Sequence, residues 1–485
     1  MHWMALAVTS LLGAGARPYD VQHYRVEVRL HPDGTFDNAV SIKLKAAKAL
    51  TSLELDSFGL KVSSATVDGT KAGVATAVLA SHEGGTLTLK PPHPLAAGKE
   101  TTVEIHYSGK ANSDAFGFSQ VKDPDAPESL AYYFTHFEPN GAQRFFPCND
   151  DPGDKATLEW VAVVDARYQV FANGKKALDE PFTDKEEHLR RVQWVESKPI
   201  STSRAALAVG QFEDVDVGAD VPAALHLPPH FAPLAFAAAE GTRGALESEG
   251  AFLGVKYPWD KYDQVGIPLY FGGMENTSLT FLRAEGYLAQ GAKNDVYTRQ
   301  FRFEAIARAL AHQWLGDFVT GRTWNDTWLL EGLAQHVATK ATAAYLETDA
   351  AAVAAAEDTF VDYFQQEASA ATHPEDAFEP RAYKRGAPVA RMLETLLGTE
   401  DFRKALASYL NAHAYGNASA LDFFDALAAN TKKKAEVRAM RDSWLLKKGY
   451  PSIAPRVEWA GGTATVTVSQ KGAFAFPLQI VLHRE

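Results

Sequence analysis

Apolar and polar residues alternate along the first part of the chain. Tyr24, Val26, Val28 and Leu30 alternate with polar neighbours, as do Leu53 and Leu55, then Thr86 and Thr88, Val103 and Ile105. A period of two puts every second side chain on one face of a strand. Asp33-Gly34, Asp68-Gly69, Gly84-Gly85 and Asn173-Gly174 interrupt these runs with turn residues. From Tyr19 to about Asp216 the pattern predicts many short antiparallel strands arranged as a sandwich or saddle.

From about Val221 the spacing becomes helical. Leu234 to Leu253, Val296 to Phe318, Thr327 to Thr342, Ala350 to Glu367, Pro388 to Leu396 and Ala418 to Asn430 all carry it, with good helix formers. One strand-like stretch, Asp263 to Phe271, ends at Gly272-Gly273. Strand patterning returns after Tyr450-Pro451, over Val457 to Ala460, Thr463 to Ser469 and Leu478 to His483, with Gly461-Gly462 as a hairpin turn. Three such strands are too few for an independent sheet and must pack on a neighbour. The expected organisation is α+β and multidomain: a segment 1–16, a β-rich domain 17–216, a mostly helical domain 217–449 and a partial β-sandwich domain 450–485.

Composition narrows the function. The 485 residues carry a net charge of −12, so no basic face is expected for a nucleic acid. A single cysteine, Cys148, rules out an internal disulfide and reads as a small buried hydrophobe. Trp3 to Ala16 is almost wholly apolar and ends in Ala14-Gly15-Ala16 before Arg17. That pattern, although it lacks a positively charged start, predicts an export signal and a periplasmic or secreted protein. No later apolar run reaches the ~20 residues of a membrane span.

The most informative chemistry lies in Arg308-Ala309-Leu310-Ala311-His312-Gln313-Trp314-Leu315-Gly316-Asp317 and in Trp324-Asn325-Asp326-Thr327-Trp328-Leu329-Leu330-Glu331-Gly332. Residues four apart share a helix face, so His-Glu-x-x-His presents two imidazoles to one zinc. The Glu between them sits beside the metal-bound water as general base. His312 and Glu331 stand 19 positions apart, with Asp326 as the expected N-cap of the second helix.

These segments resemble the zinc-binding region of the gluzincin aminopeptidase family, the aminopeptidase N and leukotriene hydrolase group. Its pattern reads His-Glu-Leu-Ala-His-Gln-Trp-Phe-Gly, then Trp-x-Asp-x-Trp-Leu-x-Glu-Gly. Gly272-Gly273-Met274-Glu275-Asn276 matches the family's exopeptidase motif. Phe137-Glu138-Pro139, Arg144, Phe146-Pro147-Cys148 and Asp151-Pro152 to Lys155-Ala156 match its N-terminal active-site segment. Tyr383-Lys384-Arg385-Gly386 is similar to its catalytic tyrosine segment. The resemblance implies an N-terminal β-saddle, a thermolysin-like helical domain and a short β domain. It also implies zinc as cofactor, with His312 and Glu331 as its second and third ligands. It casts Glu138 and Glu275 as partners of a substrate α-ammonium, Tyr383 as stabiliser of the oxyanion, and peptides with a free N-terminus as partners. Gly272, Gly273, Met274 and Asn276 complete that substrate-binding stretch, where glycines let a peptide backbone approach.

Two positions depart from the pattern: Arg308 stands at the first His and Ala309 at the general base. His226 and His230 are also four apart, but Pro228 and Pro229 between them forbid a helix. Two remaining ligands fall short of the three of a catalytic zinc. A guanidinium ~4 Å from a +2 ion costs up to roughly 8 kcal/mol at an effective ε of ~20. Loss of the base lowers rate by ~10²–10⁴. The expectation is therefore weak or absent zinc, impaired hydrolysis, and Arg308 paired with Glu331 in place of the metal's charge. An active zinc aminopeptidase and a purely structural interaction module are the alternatives.

Overall fold

The computed structural model describes residues 17–78, 84–114, 116–288, 296–347, 380–447, 451–472 and 474–478. Side chains of 77–78, 296–297 and 380–385 are outside that description, as are segment 1–16, the expected helix Ala350 to Glu367 and the end of the expected strand Leu478 to His483.

The N-terminal half is β-structure, as its alternation predicts. Strand Tyr19–Leu30 lies between Thr35–Ala46, antiparallel to it, and Lys155–Asp165, parallel to it, inside an eight-stranded sheet. Val26 pairs with Val40 on one side and Trp160 on the other, and all three are buried. In strand Gly85–Lys90 the inward residues are Leu87 and Leu89, with Thr86 and Thr88 half-buried. Aromatic rings fill the space between the eight-stranded sheet and a four-stranded one: Phe118 stacks on Phe145 at 4.4 Å, and Phe36 meets both edge-on. Cys148 is buried at this end.

The change to helix at Val221 is only partial. A five-stranded sheet intervenes, in the order Glu213–Asp216, Ala223–Leu227, Tyr262–Ile267, Leu279–Arg283, Gly273–Asn276. Its parallel inner strand Tyr262–Ile267 is buried at every position. The expected strand Asp263 to Phe271 matches it but overruns its end at Ile267; the neighbouring strands Ala223–Leu227 and Leu279–Arg283, buried at nearly every position and so without alternation, were not anticipated.

The helices follow: α1 (Phe236–Leu253), α2 (Val296–Ala311), α3 (Thr327–Tyr345), α4 (Pro380–Leu397), α5 (Thr399–Ala412), α6 (Ala420–Ala429) and α7 (Lys434–Trp444). Among them α5 and α7 were not anticipated. The expected helix to Phe318 stops at Ala311. Asp317, Phe318 and Val319 donate to carbonyls five residues back, at His312, Gln313 and Trp314, a wider turn than an α-helix makes. Asp326 does stand at the N-cap of α3, but its carboxylate does not cap that helix; it accepts from Ala420 N and Thr323 N. The C-terminal strands Ser452–Ala460 and Thr463–Lys471 form the expected hairpin, with Gly461 and Gly462 at positive φ. No helix among the described residues is long and apolar enough to cross a membrane.

Candidate functional site

The last turn of α2 and the start of α3 bring Arg308, Ala309, His312 and Glu331 together. His312 N still donates to Arg308 O at 3.3 Å, so the two residues sit one helical turn apart. Two glycines hold the wall behind Glu331: a Cβ on Gly332 would lie 2.1 Å from the Gly386 carbonyl carbon, and one on Gly386 would lie 2.1 Å from Trp328 O. Only glycine at both positions lets α3 and α4 touch backbone to backbone. Tyr383 falls on α4, and its side chain lies outside the described residues.

Strand Gly273–Asn276, an edge strand of the five-stranded sheet, brings Met274, Glu275 and Asn276 up to the helices. Gln313 fastens it there: its amide donates to Asn276 O at 3.0 Å and accepts from Ser278 N at 2.8 Å. Gly272 faces open space. Glu138 arrives from the N-terminal half.

Arg308 donates to Glu331 Oε2 in a charge-assisted hydrogen bond. The same oxygen lies 3.4 Å from His312 Nε2, and Glu275 Oε1 lies 3.8 Å from it on the other side. Arg204 binds this second carboxylate. Fully buried, it reaches Glu275 Oε1 at 3.3 Å, Glu138 Oε1 at 3.0 Å and Asp317 Oδ1 at 3.5 Å. Sequence reasoning missed Arg204. It sits in an unremarked Ser-Thr-Ser-Arg stretch, and only folding brings three carboxylates to it. Lys155, which ends the segment Asp151-Pro152 to Lys155-Ala156 picked out in the sequence, donates to Asp317 O at 2.7 Å.

The electrostatics follow from burial against charge. Burial opposes ionisation of Glu331, but His312 and Arg308 outweigh it and hold its pKa down at about 2. Glu275 is likewise lowered: His312 and Arg204 overcome the burial penalty. His312 is raised, because Glu331 and Glu275 outweigh the desolvation of its imidazolium. Glu138 and Asp317 go the other way, each pushed by burial up to about 7 against the pull of Arg204.

Three of these groups are raw material for a metal site. The ligand atoms of Glu275, His312 and Glu331 all lie within 4.8 Å of one another. His312 Nδ1 faces Leu315 O at 3.0 Å, which leaves Nε2 buried and without a hydrogen bond, the posture of a ligating imidazole. Glu275 was expected only as a substrate carboxylate; the fold also makes it a neighbour of both ligand positions. Yet the two carboxylate oxygens that face Nε2 are each already bonded to a guanidinium. A cation placed among them has to share Glu331 with Arg308 and Glu275 with Arg204, against the repulsion of both guanidinium groups.

Known proteins share this framework. Residues 237–444 match the Peptidase family M1 domain, and residues 20–203 match the Peptidase M1 N-terminal domain. The chain belongs to the gluzincin aminopeptidase family, M1. Among relatives, it is 29% identical to Aminopeptidase M1 of Arabidopsis thaliana over 90% of this chain and 51% of the relative. It is 30% identical to Probable aminopeptidase 2 of Sulfurisphaera tokodaii over 74% of this chain and 46% of the relative. Endoplasmic reticulum aminopeptidase 1 of Homo sapiens is 26% identical over 86% and 49%. The chain thus spans about half the length of the M1 relatives it matches. In this M1 protein α3 carries Glu331, α2 carries Arg308 with His312 just beyond its end, and the edge strand carries Glu275; Arg308 pairs with Glu331 and Arg204 with Glu275.

Proposed function

We propose that this M1 protein is impaired as a peptidase, with the Arg308 guanidinium standing where a zinc ion's charge would stand. The hydrogen bond from Arg308 to Glu331 carries the reading: it satisfies the one carboxylate that α3 offers and places a permanent cation beside His312. Ala309, buried beside it, has a methyl group where a proton acceptor is needed. Zinc does not suit the site while Arg308 holds Glu331 and Arg204 holds Glu275.

Recognition of a peptide's free N-terminus is retained in weakened form on this reading. Glu138 and Glu275 converge as an ammonium site requires, but each already holds Arg204, with which an incoming ammonium must share them. Calorimetric titration of a short peptide against its N-acetylated twin tests this. A measurable preference for the free amine is expected; equal affinities contradict it. The impairment is tested by assaying an aminoacyl amide with and without chelator. Chelator-sensitive turnover by the native chain contradicts the proposal.

The geometry favours one second reading. Glu275, His312 and Glu331 together can replace the missing ligand set once the arginines swing aside, giving a zinc-loaded active aminopeptidase. Zinc that is bound by the native chain and lost in His312→Ala would support it. Export, expected from segment 1–16, completes the proposal; cell fractionation of the tagged full chain tests it, and a purely cytoplasmic pool contradicts it.

A further inference from the structure

His230 has a different role from the one its spacing to His226 first suggests. His226, on strand Ala223–Leu227, is held between Asp214 at 2.7 Å and Asp263 at 3.3 Å. His230 lies in the connection leading to α1, and there it meets Asp123 and Asp125 from the loop between strands Gly117–Val121 and Tyr132–His136. The ligand atoms of these three residues all lie within 4.8 Å of one another. His230 Nε2 is 3.7 Å from Asp123 Oδ2, too far for a hydrogen bond.

Asp123 supplies the independent observation. It is 1% exposed. Its Oδ1 accepts from Asp125 N at 3.0 Å, which fixes the carboxylate, while Oδ2 accepts no hydrogen bond. A buried carboxylate oxygen that faces an imidazole and a second carboxylate yet accepts no hydrogen bond is unsatisfied.

We propose that Asp123, Asp125 and His230 bind a divalent cation of the zinc type, which latches the loop of the β-rich half to the segment entering α1. Two carboxylates and a neutral imidazole balance its charge, and a mixed nitrogen and oxygen set with few ligands suits zinc better than calcium or magnesium. Tetrahedral zinc with ligands at ~2.0–2.1 Å holds neighbouring donor atoms ~3.4 Å apart, so the 3.7 Å pair needs a small closure and the others, within 4.8 Å, at most about 1.4 Å. Asp125 and His230 are on the exposed side, where water completes the fourth position. This site shares no residue with the Arg308 cluster and does not depend on how that cluster is read.

The test is isothermal titration of the chelator-stripped full chain with Zn²⁺, on the native protein and on H230Q, D123N and H312A. One equivalent is expected for the native chain and for H312A, and at least about tenfold weaker binding for H230Q and D123N. Zinc should raise the Tm of the native chain and leave that of H230Q unchanged. H230Q alters a partly exposed side chain and carries the test if D123N does not fold. Unchanged affinity in H230Q overturns the proposal. So does a native chain that binds no zinc, which would make the contact an ordinary ion pair.

Discussion

Substituting Arg308→His together with Ala309→Glu removes the guanidinium from Glu331 and puts an imidazole and a carboxylate on the same helical turn. The backbone is already suited to this, because His312 N bonds to Arg308 O within one turn and Glu331 stands across from both. The charge effect alone has a ceiling of roughly 8 kcal/mol at ~4 Å and an effective ε of ~20. The Arg308 side chain is 38% exposed, so solvent screening and reorientation cut this to about 1–3 kcal/mol. That amounts to roughly 5- to 150-fold in metal affinity, before the added ligand counts. The new Glu contributes a further ~10²–10⁴ in rate as general base. The assay is release of chromophore from an aminoacyl nitroanilide, with and without chelator. The native chain should show no chelator-sensitive rate, each single variant little, and the double variant a clear one. KM should stay high, because Arg204 still occupies Glu138 and Glu275. A double variant that binds zinc through His312 yet gains no rate would refute the reasoning that these two positions are what the chemistry lacks.

Arg204→Met leaves Glu138, Glu275 and Asp317 buried without their shared cation, and should cost about 3–5 kcal/mol in urea unfolding; an unchanged midpoint would show that the web contributes nothing. Glu249, on α1, is fully buried with both oxygens unpartnered, and burial raises its pKa well above the ordinary carboxylate value. Its folded form therefore favours the neutral acid, and stability falls as pH climbs above the unfolded value of about 4.3. Glu249→Leu should raise the Tm at pH 8 and do much less at pH 4; a pH-independent difference would contradict this. Gly332→Ala drives a methyl into Gly386 and should destabilise by about 1–3 kcal/mol, measured by thermal unfolding; a neutral substitution would mean that α3 and α4 are not held in backbone contact.

The sequence made strands legible where one face is buried and the other wet. Tyr24, Val26, Val28 and Leu30 are inward-facing residues of a long sheet. Strand Tyr262–Ile267 was read within Asp263 to Phe271, but its neighbours Ala223–Leu227 and Leu279–Arg283 were missed because burial at nearly every position erases alternation. Helix α5 was readable in principle, since Phe402, Ala405, Leu406 and Tyr409 are buried at helical spacing. The turn after Ala311 was not readable, because bonds to carbonyls five residues back leave no periodic trace. Within the site, local motifs located Arg308, His312, Glu331 and Glu275, and the charge argument anticipated the bond from Arg308 to Glu331. Arg204 was invisible for a plain reason. Its partners lie 66, 71 and 113 residues away in the chain, and one arginine in a neutral stretch carries no sign of which carboxylates folding will bring to it. The same holds for Asp123 and His230.

Anomalous scattering at the zinc absorption edge, from crystals of the native chain grown with zinc, locates every bound ion in one measurement. The expected map shows the Arg308 guanidinium on Glu331 and no peak among Glu275, His312 and Glu331, whether or not a peak stands at Asp123 and His230. A full peak within bonding distance of His312 Nε2, with Arg308 turned away from Glu331, would contradict the proposed replacement of metal by guanidinium.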